Sequence, residues 1–279
     1  MRKLKIAVIG SGISGLSASW ELSKYHDIHL FEKNNYYGGH ANTLKVEPLK
    51  EKAYYVDTGF IVFNHLNYPN LCNLFNELNV ETYESDMSFS ASLENGGLEY
   101  SGSSLGSMFA QKKNVFNLKY LRMLIEIMKF YKNVEYDKMN YNNCTIEDYL
   151  TIKNYSDFFK YKHIYPMASS IWSSSLNEIK KYPFEQFVNF FSNHGLLNLT
   201  NRPKWRTVLN GSQSYVRKII EKENIIASKN IDIEIKKFKN DKLILKVNRK
   251  EKEYDHVIVA VHSDQVKHVN KIPNLNNIK

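Results

Sequence analysis

The stretch Leu4-Lys5-Ile6-Ala7-Val8-Ile9-Gly10-Ser11-Gly12-Ile13-Ser14-Gly15 decides how this chain folds. Leu4 to Ile9 is a short apolar run of the kind a strand buried in a parallel sheet carries. Residues 13–25 follow a helical pattern, with Ile13, Leu16 and Trp20 on one face, and Ile28 to Phe31 is a second apolar run that ends at Glu32. A strand, a glycine turn, a helix and a second strand in that order predict a βαβ unit. Gly10 permits the tight turn, Gly12 lets backbone approach a pyrophosphate, and Gly15 lets helix and strand pack closely, with Ser14 in the first helical turn. The helix N-terminus adds free N–H groups and a partial positive charge that favour phosphate. Glu32 is placed to accept hydrogen bonds from both ribose hydroxyls of an adenosine half. An acid there repels a 2′-phosphate, which argues against NADP.

That unit leaves NAD and FAD open, and the residues after it favour FAD. Gly38-Gly39-His40-Ala41-Asn42-Thr43 offers a second backbone approach to the pyrophosphate, and Val56-Asp57-Thr58-Gly59-Phe60 is a turn suited to backbone packing against a flat ring. A simple nicotinamide dehydrogenase would run straight into the next βα pair instead.

Other classes of function find little support. The net charge of +9 comes with Lys, Asn, Ile and Tyr enriched along the whole length, and no basic stripe with interleaved aromatics points to nucleic acid. Attraction to an anionic membrane surface stays open. Cys72 and Cys144 sit in no CxxC or metal spacing, which fits a reducing, cytoplasmic setting without a disulfide framework. His40, His163, His194 and His262 are scattered, so no structural metal is expected. Met1 to Lys5 before an apolar stretch resembles the start of a signal peptide, but Gly10, Gly12 and Gly15 interrupt the apolar region, so export is not expected. No run of 18 apolar residues exists, so no spanning helix is expected. Ser212 and Ser214 lie in no nucleophile elbow, which sets a hydrolase aside. His262-Ser263-Asp264 reads as a cap on the loop after a strand.

From about Tyr68 to Pro203 helical periodicity dominates, with polar breaks at Asn95-Gly96-Gly97 and Asn140 to Asn143. The clearest helix, Leu118 to Tyr131, carries Lys119, Arg122, Glu126 and Lys129 on one narrow stripe and apolar residues around the rest. It reads as a helix buried on most sides, or as one that meets lipid or lines an apolar tunnel. After Pro203 strands return. Ile231 to Phe238 and Lys242 to Asn248 form a predicted hairpin joined at Asn240-Asp241, and Val257 to Val261 reads as a strand buried on both faces. The sheet begun at residue 4 is thus completed from the far end of the chain.

The stretches Gly38 to Thr43 (GGHANT), Asp57 to Asn64 (DTGFIVFN), Met167 to Ser173 (MASSIWS), Asn193 to Leu197 (NHGLL) and His262 to Gln265 (HSDQ) carry a resemblance over essentially all 279 residues. The chain resembles flavin-containing amine oxidase-type oxidoreductases, the group that also includes phytoene desaturases and protoporphyrinogen oxidase, and within it a bacterial NAD/FAD-binding subgroup. The resemblance implies an α/β fold: a Rossmann-type, glutathione-reductase-like FAD-binding domain (1–75 and 204–279) with an inserted, largely helical substrate or cap domain (76–203). It implies FAD as cofactor, hydride transfer from a substrate C–H bond, and a small-molecule substrate of amine or lipid type. It places Gly10, Gly12, Ser14, Gly15, Glu32, Gly38, Gly39, His40, Thr58, Gly59, Phe60 and the Ile235 backbone on the cofactor. His40 stands where the group often has an Arg. Trp205-Arg206-Thr207 to Gly211-Ser212 resembles the return into the FAD domain, with Asn210 in place of one of two paired glycines. Members of the group run on past the equivalent of Lys279 into a last flavin-binding strand and a lysine near the reactive nitrogen. An FAD-dependent oxidoreductase is the favoured expectation, with no catalytic residue assigned; for a chain naturally this short the alternative is a nucleotide-binding module without turnover, or one half of a split enzyme.

Overall fold

The computed structural model describes residues 2–48, 52–198, 203–239 and 242–269. The chain divides into two compact units, one from Met1–Ser85 with Arg206–Lys279, the other from Asp86–Trp205.

The first unit opens with β1 (Lys5–Ile9), α1 (Ile13–Ser23) and β2 (Asp27–Phe31), then β3 (Thr43–Val46), β4 (Tyr54–Asp57), α2 (Pro69–Glu77) and β5 (Thr82–Ser85). The second unit holds β6 (Ser90–Leu93), β7 (Leu98–Ser101), α3 (Leu105–Met108), α4 (Leu118–Lys138), α5 (Ile146–Ile152), α6 (Asp157–Phe159), α7 (Tyr165–Trp172), α8 (Leu176–Lys180) and α9 (Phe184–Asn193). The chain continues through β8 (Trp205–Val208), α10 (Gln213–Ile220), β9 (Ile225–Ser228), β10 (Ile233–Lys239), β11 (Lys242–Val247), β12 (Lys250–Tyr254), β13 (His256–Val259) and α11 (Val266–Val269).

In the first unit four parallel strands lie in the order β13-β1-β2-β9. Ile6, Ala7, Val8 and Ile9 of β1 are buried because strands flank both edges and other elements cover both faces. Leu16 of α1 packs beneath this sheet with Ile28, Leu30, Phe63, Phe75 and Val216. Ile13, expected on the same face, is 44% exposed, since the glycine turn points that first residue out. An antiparallel sheet β10-β11-β12 closes the other side, burying Ile235, Leu245 and Tyr254 against Ala7, Ile9 and Phe31. β12 was not legible as a strand because Lys250-Glu251-Lys252-Glu253 is a run of exposed charges. The Asn240-Asp241 turn lies outside the described residues. The expectation that Val257 to Val261 is buried on both faces is corrected. β13 ends at Val259, stands at the edge of the four described strands, and keeps Val257, Ile258 and Val259 only half-buried.

The second unit is helical around an aromatic core that includes Tyr120, Phe130, Tyr149, Phe159, Phe184, Phe187 and Phe191. Tyr149 stacks on Phe184 at 3.8 Å between centroids, and Phe187 on Phe191 at 4.1 Å. Asn117 starts α4 by accepting from Lys119 N and Tyr120 N. The charged stripe of this helix does not all face water: Glu126 is buried and accepts from Ser156 N, Ser156 Oγ and Arg122 Nε. Asp137, also buried, accepts from Tyr149 Oη and Lys153 Nζ at 2.8 Å each. The apolar circumference divides accordingly, with Tyr120, Met123, Ile127, Phe130 and Val134 inside and Leu118, Ile125 and Met128 exposed. Asn95-Gly96-Gly97 joins a β-hairpin, β6 to β7, that helical periodicity did not reveal. Met167 to Ser173 forms most of α7, whose end is a left-handed Ser173.

Candidate functional site

Three loops and a strand end converge at the start of α1. Gly10 N donates to Phe31 O at 2.8 Å, which brings the glycine turn beside the end of β2. A side chain at Gly10 would strike the Ala260 carbonyl, 2.4 Å from its Cβ, and one at Gly15 would strike the Gly10 carbonyl at 1.9 Å. Both glycines therefore serve the packing of the turn, the helix and the residues that directly follow β13. Gly12 differs: among the described residues a Cβ there meets nothing within 4 Å. Its space is open, as an approaching ligand requires. Ser14 is exposed in the first turn of α1.

The loop of residues 38–43 is tied to the same turn. Gly38 N donates to Ser11 O at 3.1 Å, and a Cβ on Gly39 would stand 3.1 Å from Gly12 Cα. The loop that follows β4 is tied to it in turn: Phe60 N donates to His40 O at 2.8 Å and Thr58 N to Asn42 O at 2.9 Å. A Cβ on Gly59 would lie 2.4 Å from His40 O, so these two loops touch through backbone. His40, Thr58 and Gly59 are exposed and Phe60 half-buried. The structure thus brings Gly10, Gly12, Gly15, Gly38, Gly39, His40, Thr58, Gly59 and Phe60 together.

Glu32 is 8% exposed and already engaged. Its Oε2 accepts from Ser11 N at 3.0 Å and Ser11 Oγ at 2.5 Å, and its Oε1 from Asn34 N at 2.9 Å. A carboxylate has about four lone-pair positions. One on Oε1 is left, enough for one ribose hydroxyl; a second needs Ser11 to let go. Ser11 was not singled out from sequence, although its place inside the glycine motif is the signal that could have found it. The Glu32 charge also acts on Tyr37, whose hydroxyl is pushed up first by partial burial and then by that carboxylate.

Ile235 sits apart from the loops, its side chain in the core and its backbone paired with Leu245 at a register shift before Lys237. The link to the site is through backbone, since Ile231 N donates to Glu32 O at 3.0 Å and Asn230 N to Asn34 O at 3.0 Å.

Asp57 and Thr43 proved to be joint fasteners that spacing alone could not reveal. Asp57 Oδ1 accepts from Thr43 Oγ1, Ser212 N and Ser212 Oγ at 2.6, 2.9 and 2.7 Å, and Thr43 Oγ1 accepts from Gln213 N at 3.0 Å. Asn210 and Gly211 approach α10 with φ of 62° and 85°. The asparagine therefore adopts the left-handed conformation that its paired-glycine position demands.

Residues 8–78 match the family model described as an NAD(P)-binding Rossmann-like domain. Over 43 residues, 15% of this chain and 9% of the other, the sequence is 51% identical to a 4,4'-diapophytoene desaturase (4,4'-diaponeurosporene-forming) of Staphylococcus aureus. Among solved structures, a putrescine oxidase variant superposes with a TM-score of 0.63 at 16% identity, covering 98% of this chain and 61% of that one. An oxidoreductase from Methanosarcina mazei gives 0.60 at 15% identity (98% and 63%), and a CLA-producing fatty acid isomerase from P. acnes gives 0.56 at 15% identity (97% and 62%). This chain spans less than two thirds of the length of each of these proteins. Its fold is that of these solved structures, with a Rossmann-like domain over residues 8–78.

Proposed function

We propose that the chain is the FAD-binding portion of an oxidoreductase that removes hydride from a substrate C–H bond. The observation that carries this reading is the open Gly12, framed by the structural glycines Gly10 and Gly15 and faced by Gly39. It leaves a backbone-lined approach at a helix N-terminus where a diphosphate fits. Bound FAD would supply the hydride acceptor, and the protein would supply binding and orientation. The free N–H groups of α1 would meet the diphosphate, and Glu32 would accept a ribose hydroxyl at the adenosine end. The Ile235 backbone would flank the adenine. The backbone of residues 38–40 would approach the diphosphate and that of residues 57–60 would lie along the ring, the two loops joined to each other through His40 O and Asn42 O and to the start of α10 through Thr43 and Asp57.

The reading is tested by denaturing the purified chain, or a longer parent protein that contains it, and identifying the nucleotide released. FAD is expected; FMN, or NAD without flavin, overturns it.

For the substrate, the similar folds include proteins named for putrescine and for a fatty acid. One surface favours the lipid side: on the second unit Leu105, Phe116, Leu118 and Ile125 are 62–87% exposed. Lys112, Lys113, Lys119 and Arg122 stand among them in sequence and are exposed too. Apolar side chains with basic neighbours suit an anionic lipid interface. Among the described residues no helix is long and apolar enough to cross a membrane, so the contact would be peripheral. Co-sedimentation with vesicles containing phosphatidylglycerol, lost in Phe116→Ser/Leu118→Ser, tests it; equal sedimentation of both proteins overturns it.

A further inference from the structure

Two imidazoles stand beside the glycine loops. His40 directly follows Gly39, whose Cβ position is 3.1 Å from Gly12 Cα, and His262 lies two residues past Ala260, whose carbonyl is 2.4 Å from a Gly10 Cβ. Their ring centroids are 6.0 Å apart with planes inclined by 30°. Both side chains are exposed, while both backbones are held: His40 O accepts from Phe60 N and His262 O from Gln265 N at 2.8 and 2.9 Å.

Neither imidazole has an ion pair among the described residues. The acids of the surrounding elements are largely engaged elsewhere. Glu32 at the end of β2 is held by Ser11 and Asn34, and Asp57 at the end of β4 by Ser212 and Thr43. Asp264, in the turn after His262, is exposed. Two imidazoles this close repel each other when both are protonated, unless an anion lies between them. A diphosphate at the entrance of α1 is such an anion.

Resting on the FAD reading above, we propose that His40 and His262 form a two-imidazole clamp on the cofactor diphosphate, so that cofactor affinity rises as pH falls. Imidazole is the side chain that changes charge between about pH 5 and 8. Protonation turns each ring into a charge-assisted donor to phosphate oxygen, and the bound anion in turn favours the protonated rings. Binding is therefore coupled to proton uptake.

The test is a titration of the full chain, freed of nucleotide, with FAD (flavin fluorescence), ADP and adenosine (calorimetry) between pH 5.5 and 8.5 in buffers without phosphate. FAD and ADP are expected to bind at least about tenfold more weakly at pH 8.5 than at pH 5.5, and adenosine, which has no diphosphate, equally at both. His40→Ala and His262→Ala should each remove most of this slope by weakening binding at pH 5.5 and little at pH 8.5. His262→Gln, which preserves shape, should behave like His262→Ala, and His40→Arg should bind strongly at every pH. FAD affinity that is flat with pH, or a slope untouched by His262→Ala and His262→Gln, overturns the clamp and leaves the FAD reading standing. A chain folded by circular dichroism that binds no FAD at any pH overturns both.

Discussion

Asp57 and Ser212 are 155 positions apart in the chain, yet the Asp57 carboxylate accepts from both the Ser212 backbone N and its hydroxyl. The contact fixes the end of β4 to the start of α10, and Thr43 joins it from β3. Ser212 is fully buried, so its N–H has no water to turn to. Leaving such a donor unpaired costs about 1–3 kcal/mol. Asp57→Ala should therefore lower the thermal midpoint by roughly 2–4 °C for each kcal/mol lost. Asp57→Asn, which keeps one acceptor oxygen, should fall between. Calorimetry of the three proteins checks this, and an unchanged midpoint in Asp57→Ala would show that the contact holds nothing.

The glycines of the first turn should separate by variant. Gly15→Ala places a Cβ 1.9 Å from a backbone carbonyl, so the helix must move, and loss of soluble protein or a drop of several kcal/mol is expected. Gly12 has φ −66° and open space around it. Gly12→Ala should leave stability within about 1 kcal/mol of the parent while weakening FAD binding at least tenfold. Paired measurements of melting and FAD affinity decide it. If Gly12→Ala binds FAD normally, the open space is not where the diphosphate lies.

Glu32 is expected to act in two ways. A hydrogen bond to a charged group contributes about 1.5–3 kcal/mol, so Glu32→Ala should weaken FAD binding roughly 10- to 150-fold. It should also reduce stability, because Ser11 N loses its acceptor. Ser11→Ala removes one claim on Oε2 and should bind FAD at least as well as the parent. Weaker binding in Ser11→Ala would mean that Ser11 orients the carboxylate rather than competing for it.

The second unit should be acid-sensitive through His163. Burial holds this imidazole down at about 3, against its ordinary 6.5. Its Nδ1 lies 3.0 Å from Tyr100 Oη, which itself donates to Lys162 O, and its Nε2 has no hydrogen-bond partner among the described residues. Between these two values the unfolded chain binds the proton and the folded one does not. The contribution is therefore complete above about pH 6.5 and falls with pH, by at most about 1.4 kcal/mol per unit, down to about pH 3. His163→Phe, whose ring suits Phe89 and Phe159 beside it, should flatten the loss of thermal midpoint between pH 7 and 4.5. An identical pH dependence in parent and variant would rule His163 out as the cause.

What the sequence determined by itself is local. Leu4 to Glu32 reads as a βαβ unit because glycine sterics, an apolar run and helical spacing are all short-range signals, and β1, α1 and β2 fall there within one or two residues. The loops at 38–43 and 57–60 were legible as turns for the same reason. Tertiary structure decided what depends on neighbours distant in the chain. β12 is a strand because β11 pairs with it, despite its charges. Glu126 is buried because Ser156 meets it, although its helical stripe is otherwise charged. Ser212 meets Asp57, and His262 stands beside His40, only because segments about 155 and about 220 residues apart are brought together. Hydrophobic periodicity reports which face of an element is covered, but a hydrogen bond or an anion site depends on two side chains meeting. That meeting is settled only when the strands take their order in the sheet.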